Sequence, residues 1–427
     1  MKNNKEILEL LKKELVLALG CTEPIAVALA AAYAKRAINT EPDLIEVNLS
    51  GNVLKNGMGV GIPGTNLIGL SIAAALGVIG GSADAQLEVL KDISEEDINI
   101  AKLYVEQGKV IVKESKNSDK LYIEVICRKE NHYGRVVIKG THTNVILIEH
   151  DNKIIFNRKE QSGFVVKNNE RFKEIKLTVD EIYSFATKIP LEEIEFILGY
   201  ADINMALAKE GVREGYGLHV GKTMMQNIEK GLMGNDVTNR AMALSSGASD
   251  ARMSGCCLPA VANSGSGNQG ITIMVPILVY AEYLKVNREK LARALVLGNL
   301  ISIHIKTHLG RLAALCGVVI AATGASSGIT YLSRGDLEKI KAAIKNMAGN
   351  ISGMFCDGAK PGCAMKVATS VNAAMQSAIL AINNRVISEA EGIIADDVED
   401  TIVNLAKLGS EGMLETDKMI LEIMVCK

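Results

Sequence analysis

Apolar positions recur at helical spacing through residues 5–37, break at Gly20 and restart over Thr22, Glu23 and Pro24, where a capping residue, an acid and a first-turn proline coincide. The pattern predicts two helices that meet at Cys21. Between about 44 and 160 the helical spacing gives way to alternation. IEVNLSG, VIVKE, KLYIEVICRK, YGRVVIKGT, TNVILIEHD and KIIFN read as short strands, with helices expected near 66–77 and 85–94. From about 180 onward the pattern is helical almost throughout, over 180–187, 191–209, 221–232, 236–248, 269–285, 288–315, 335–348, 362–392 and 396–408. The expected fold class is α+β: an N-terminal α/β domain with a mixed sheet over 1–180, and a C-terminal all-α helical domain over 181–427.

At 427 residues, with 48% hydrophobic and 22% charged residues, the chain can bury a large core. Forty-seven Lys+Arg against 49 Asp+Glu leave a net charge of −2, which gives neither a basic field for nucleic acid nor a polybasic membrane anchor. Aromatic residues make up 4% and Trp is absent, so there are few platforms for base stacking. The partner implied is a small molecule, and the many apolar small-residue helices suit a homodimer. Leu312 to Leu332 carries no charge and is long enough to span a bilayer, but Gly317, Gly324, Gly328, Ser326 and Ser327 interrupt it. It reads as a buried helix and a glycine turn. The opening MKNNKEILELLKKELVLALG lacks the apolar core and cleavage site of a signal peptide, so a cytoplasmic address is expected. The cysteines at 21, 127, 256, 257, 316, 356, 363 and 426 are then expected as thiols.

Two glycine-rich segments have the spacing of phosphate loops. GVGIPG at Gly59–Gly64 matches the dinucleotide fingerprint formally, but Pro63 lies inside the turn and Asp84 does not end a second strand, so it reads as a tight strand-to-helix turn. GSGNQG at Gly265–Gly270 shows no strand pattern before it. Its small and amide residues, Asn263, Ser264, Ser266, Asn268 and Gln269, would open a helix near Ile271, and the backbone N–H groups there suit a carboxylate as well as they suit a plain loop.

Cys316, Cys356 and Cys363 stand among Gly, Asp and Pro, in LAALCGVVIA and MFCDGAKPGC. The C-x6-C spacing fits neither a zinc finger nor a c-type haem. Three thiolates on turns can hold an iron–sulfur cluster with one iron open to substrate, and buried thiols that only pack are the alternative. His304 and His308 stand four apart in ISIHIKTHLGRLAALC, with Cys316 expected two turns on along roughly the same face. Either ring could protonate a leaving group, or both could be satisfied in a polar groove. Lys306 and Arg311 are candidates for a substrate carboxylate, or simply solvated helix charges.

The segments LGCTEPIAVALA, SGNVLKNGMGVGIPGT, SGCCLPAVANSGSGNQG, LAALCGVVIAATGASSGI and MFCDGAKPGCAMKVATS together resemble the L-cysteine desulfidase family, which is related to the iron–sulfur L-serine dehydratases. The resemblance implies a carbon–sulfur lyase of cysteine catabolism that converts L-cysteine to pyruvate, ammonia and sulfide at a [4Fe–4S] cluster without pyridoxal phosphate. It implies Cys316, Cys356 and Cys363 as cluster ligands and Cys21 as proton acceptor, and the helix N-terminus at Cys21 would favour its thiolate. The gap from Cys356 to Cys363 is shorter than in typical serine dehydratases, which leaves Cys21 as an alternative third ligand. Three readings compete with the desulfidase: a dehydratase of L-serine or another β-substituted amino acid, a non-catalytic cluster-bearing sensor or small-anion binder, and a nucleotide binder using Gly59–Gly64.

Overall fold

The computed structural model describes residues 4–117, 119, 121–158, 176–310 and 313–426. The chain starts with α1 (Asn4–Glu14), β1 (Leu15–Ala18) and α2 (Thr22–Ile38). It continues through β2 (Leu44–Leu49), α3 (Gly51–Gly57), the small hairpin of β3 (Gly61–Ile62) and β4 (Leu67–Ile68), α4 (Leu70–Ile79) and α5 (Glu95–Glu106). Then come β5 (Val110–Glu114), β6 (Tyr122–Lys129), β7 (His132–Lys139), β8 (Val145–His150) and β9 (Lys153–Asn157). The helical part holds α6 (Val179–Lys188), α7 (Leu191–Ile194), α8 (Phe196–Arg213), α9 (Val220–Glu229) and α10 (Val237–Met253), after which β10 (Ala260–Asn263) interrupts. It ends with α11 (Gly267–Leu284), α12 (Arg288–Leu309), α13 (Gly317–Leu332), α14 (Leu337–Asn350), α15 (Cys363–Ile382), α16 (Val398–Lys407) and α17 (Leu414–Val425).

All six segments that alternate in the sequence enter one sheet, in the order β5-β2-β6-β7-β8-β9. Only β2 and β5 run parallel, so the sheet is mixed and the class is α+β. The alternation has a direct cause: Ile45, Val47, Leu49, Ile123, Val125 and Cys127 point into a core closed by α2 and α4, and the residues between them face outward. The helices reach the sheet and each other closely because small residues line them. A Cβ on Gly77 would come within 2.2 Å of the Ala28 carbonyl oxygen.

The larger core belongs to the helices, and it takes in Ile7, Leu11 and Leu15 from the N-terminus. The link is a two-stranded ribbon in which the buried β10 pairs antiparallel with β1, Leu15 opposite Asn263 and Ala18 opposite Ala260, while Val16 and Leu17 stay exposed. The other edge of β10 faces helix α8, where the Asn204 side-chain amide imitates a strand. It donates to the Val261 carbonyl at 3.2 Å and accepts from the Val261 N–H at 2.9 Å.

Several local expectations change. Residues 15–18 are a strand although their Leu and Ala favour helix, because β10 offers a ladder. A strand does precede GSGNQG, four residues too short and too small to stand out. The helix expected at 85–94 is a 3-10 turn over Ala83–Glu88, and the true helix is α5, started by a Ser94–Asp97 capping box. Helix α12 stops at Leu309 because Gly310 takes φ +82°, and α15 stops at Ile382. Helix α13 runs through Gly324 and Gly328 without a turn. These glycines admit neighbouring backbone, with the Gly298 carbonyl oxygen only 2.2 Å from where a Cβ on Gly324 would sit. No helix among the described residues is long and apolar enough to cross a membrane.

Two substitutions test this packing. A Cβ on Gly211 of α8 would meet the Gly247 carbonyl oxygen of α10 at 1.8 Å, whereas Gly199 on the same helix has nothing within 4 Å. In denaturant melts Gly211→Ala is expected to lose about 1–3 kcal/mol or more, and Gly199→Ala to be neutral or to gain up to about 1 kcal/mol. Asn204→Leu strands both polar groups of Val261 and should cost about 2–4 kcal/mol by the same measurement.

Candidate functional site

Cys316 and Cys356 are brought side by side by backbone pairing. Leu315 bridges Phe355, the Cys316 N–H donates to the Met354 carbonyl at 2.9 Å, and the Cys356 N–H donates to the Ala314 carbonyl at 2.6 Å. The Cys316 thiol then donates to the Cys356 sulfur, which pulls Cys356 down to about 6 and pushes Cys316 well above its ordinary value. Lys55 and Lys366 add positive potential at Cys356. Cys363 lies within the field of Cys356, its thiol directed to the Gly358 carbonyl at 3.6 Å. The structure therefore gathers the three cysteines into one half-buried group. Asp357, next to Cys356, pairs with both Lys360 and Lys366, and buried Lys55 pairs with Asp417 of α17.

Cys21 joins this group from the other half of the molecule, forming a small cluster with Val60 and Met253 on which Ala359 and Cys363 pack. Gly20 turns the chain into place at φ +59°, and a Cβ there would strike the Pro63 ring at 2.6 Å. Cys21 caps α2, Cys316 caps α13 and Cys363 is the first residue of α15, so three helix N-termini converge on the thiols. The helix dipole was expected to hold Cys21 as thiolate, but burial and the Glu23 carboxylate raise its pKa well above the ordinary thiol value. Its thiol donates to Glu23 Oε2 at 2.9 Å. Although burial pushes Glu23 upward, His142, the Cys21 thiol and Arg252 hold it below the usual carboxylate value. Cys21 and Glu23 thus form a thiol–carboxylate pair.

Arg252 is buried at the centre. Its Nη2 donates to the Gly20 carbonyl at 2.9 Å and its Nη1 to Asn268 Oδ1 at 3.3 Å, and Gly267 is needed because a Cβ would sit 2.2 Å from the guanidinium Nε. Arg252 Nε, Asp250 Oδ1, Ser254 Oγ and Gln269 Oε1 are buried and have no protein partner. Burial raises Asp250 to about 6, although its other oxygen accepts from the Gly221 N–H at 3.0 Å. Orphaned buried polar atoms beside a group of thiols suit a polar ligand.

The remaining candidates are placed differently. In GSGNQG, Asn263 turns inward to Asn299 Oδ1 at 2.9 Å, Ser264 Oγ donates to Asn263 at 2.8 Å and Asn268 is engaged by Arg252. Of the five polar candidates in that segment, Ser266 is the helix cap, and Gln269 lies against Gly317, the residue after Cys316. His304 is buried with Nε2 2.7 Å from Glu399 Oε2, and His308 is exposed on the same helix. Because α12 ends at Leu309, neither shares a helix face with Cys316. Lys306 is buried on α12, and Arg311 lies outside the described residues. Cys127 faces the sheet core, with burial pushing it up to about 12, while Cys257 and Cys426 are exposed.

Glu23, Arg252 and Asp250 were not singled out for the site. Glu23 was visible as a first-turn acid two residues from Cys21. Asp250 and Arg252 had a weaker signal, two charges inside the small-residue run ALSSGASDARMSG.

The thiol centre lies within a recognisable family region. Residues 84–422 match the family described as serine dehydratase alpha chain, a span that includes Cys316, Cys356 and Cys363 but not Cys21. The chain is 48% identical over 420 residues to a "UPF0597 protein" of Oleidesulfovibrio alaskensis, covering 98% of this chain and 97% of that one. It is 46% identical over 422 residues to a protein of the same description from Aeromonas hydrophila, with 99% and 96% covered. A third, from Bacteroides thetaiotaomicron, is 44% identical over 424 residues, with 99% and 98% covered. The chain belongs to the serine dehydratase alpha chain family.

Proposed function

We propose that this protein is an L-cysteine desulfidase, eliminating sulfide from L-cysteine to leave pyruvate and ammonia, and that Cys316, Cys356 and Cys363 hold a [4Fe–4S] cluster. The observation that carries the reading is the convergence of three thiols, two of them hydrogen-bonded to each other, at helix N-termini and beside Lys55 and Lys366. Thiolates are the ligands such clusters take, and a site that already stabilises one thiolate suits them. Cys21 is not needed as a ligand, because its thiol is committed to Glu23. When bound, the cluster would supply an open iron as a Lewis acid toward substrate.

The chain's own groups have to remove the weakly acidic Cα proton and position the substrate. Cys21 passes its thiol proton to Glu23 as it takes the Cα proton, so that the pair acts as one base with the negative charge starting on the carboxylate. Arg252 sets the position of Cys21 through the Gly20 carbonyl, and its Nε and Gln269 offer unpartnered polar atoms to the substrate carboxylate and amine. Asn268 acts through Arg252, and Ser266 remains available at the start of α11. The aminoacrylate product tautomerises and hydrolyses without help, so the protein need supply only deprotonation, leaving-group activation and positioning. In this reading the open iron rather than pyridoxal phosphate would activate the substrate.

The test is the anaerobically reconstituted full chain, assayed for pyruvate and sulfide from L-cysteine and for pyruvate from L-serine. Turnover of L-cysteine in preference to L-serine is expected; the reverse preference would make the protein a serine dehydratase. Single changes of Cys316, Cys356 or Cys363 to Ala should abolish both the broad visible absorption and the activity. Cys21→Ala and Glu23→Gln should keep the absorption and reduce kcat by about 10²–10⁴. Full activity in Cys21→Ala would remove it from the reaction.

A further inference from the structure

Away from the thiols, a group of side chains of the kinds that can ligate a metal lies on α12 and α16. His304 and His308, one helical turn apart, face Glu399 in the first turn of α16, and their ligand atoms all lie within 4.8 Å of one another. The two imidazoles stand edge to face with ring centres 5.0 Å apart. We propose that these three residues form a site for one divalent transition-metal ion of the zinc class. Two imidazoles and a carboxylate are a donor set that Zn²⁺, Co²⁺ and Fe²⁺ accept, whereas Ca²⁺ and Mg²⁺ prefer all-oxygen sites.

The carboxylate is already oriented for this. Glu399 Oε1 accepts the Val179 N–H at the start of α6 at 2.7 Å, which leaves Oε2 turned toward His304 Nε2, also at 2.7 Å. A ligating carboxylate held by a hydrogen bond on its other oxygen is the arrangement that fixes a metal ligand in place. The ion would take the position of the proton shared by His304 and Glu399. With bonds of about 2.0–2.1 Å, tetrahedral donors stand roughly 3.3 Å apart, so His304 and Glu399 separate slightly and the more distant donors close in by rotation about their side-chain bonds. Exposed His308 gives the ion a path from solvent and room for a water as fourth ligand.

The site would staple α16 to α12 and to the start of α6. The consequence reaches the thiol centre, because α16 runs into a turn at Leu408–Gly412. There a Cβ on Gly409 would lie 2.5 Å from Leu309 and 3.0 Å from Leu315, the residue before Cys316.

Titration of the chelator-washed, anaerobically purified full chain with Co²⁺ tests the proposal independently of turnover. One equivalent should bind with weak visible bands and without the intense near-ultraviolet charge transfer of thiolate ligation. His308→Ala, at an exposed position, and Glu399→Gln should each weaken binding at least about tenfold. Cys316→Ala and His132→Ala should leave it unchanged, the latter disrupting a further group of possible ligands among the described residues, His132, His150 and Asp151. Zn²⁺ should raise the melting temperature of the parent chain but not of His308→Ala. Binding that survives His308→Ala, disappears in His132→Ala or shows only thiolate bands overturns the proposal, as does the absence of binding.

Discussion

The pairing of Leu15–Ala18 with Ala260–Asn263 is the contact on which the candidate site depends. It ties the segment before Cys21 into the helical core, while the rest of the N-terminal half builds a separate core around its sheet. Strand β10 is buried, so each of its backbone groups needs a partner, and at Val261 Asn204 supplies those that a third strand would otherwise provide. At one end of the ribbon Gly20 reverses the chain, and at the other Asn263 leads into the loop before α11. Arg252 then joins the two ends by donating to the Gly20 carbonyl and to Asn268. A buried guanidinium is costly unless its protons are used, so this bridge fixes both loops at once.

Electrostatics at the centre follow from that geometry. Burial alone would keep every thiol protonated, as it does for Cys127 in the sheet. At Cys356 the outcome reverses because Cys316 donates to it and two lysines stand nearby. Each helix N-terminus contributes about 0.3–1 kcal/mol toward negative charge, too little to overcome full burial alone. That limit is visible at Cys21, which caps α2 and still remains a thiol beside Glu23. Position at a helix start does not decide a thiol's state; the neighbouring donor or carboxylate does.

The strands and most helices could be read from the sequence because their spacing reflects which face is buried, as in Ile45, Val47 and Leu49. What could not be read depends on contacts distant in sequence. Leu15–Ala18 has helical composition and becomes strand only through β10, and Cys316 meets Cys356 only through the Leu315–Phe355 bridge. The common face expected for His304, His308 and Cys316 failed at a local feature, the positive φ of Gly310. The glycines of α13 illustrate an ambiguity of composition, since a residue that can make a turn can also admit a neighbouring carbonyl. Glu23 was within reach, being two residues from Cys21. Arg252 was not, because only the fold shows which buried groups its guanidinium bridges.

The central claim is that three thiols form a single centre with one coordination position left for substrate. Mössbauer spectroscopy of the ⁵⁷Fe-reconstituted full chain, with and without L-cysteine under anaerobic conditions, tests it most directly. The account predicts a cluster in which one iron changes its signal when L-cysteine is added while the others do not. A folded protein that takes up no cluster, or a cluster whose irons are all indifferent to the amino acid, would contradict it.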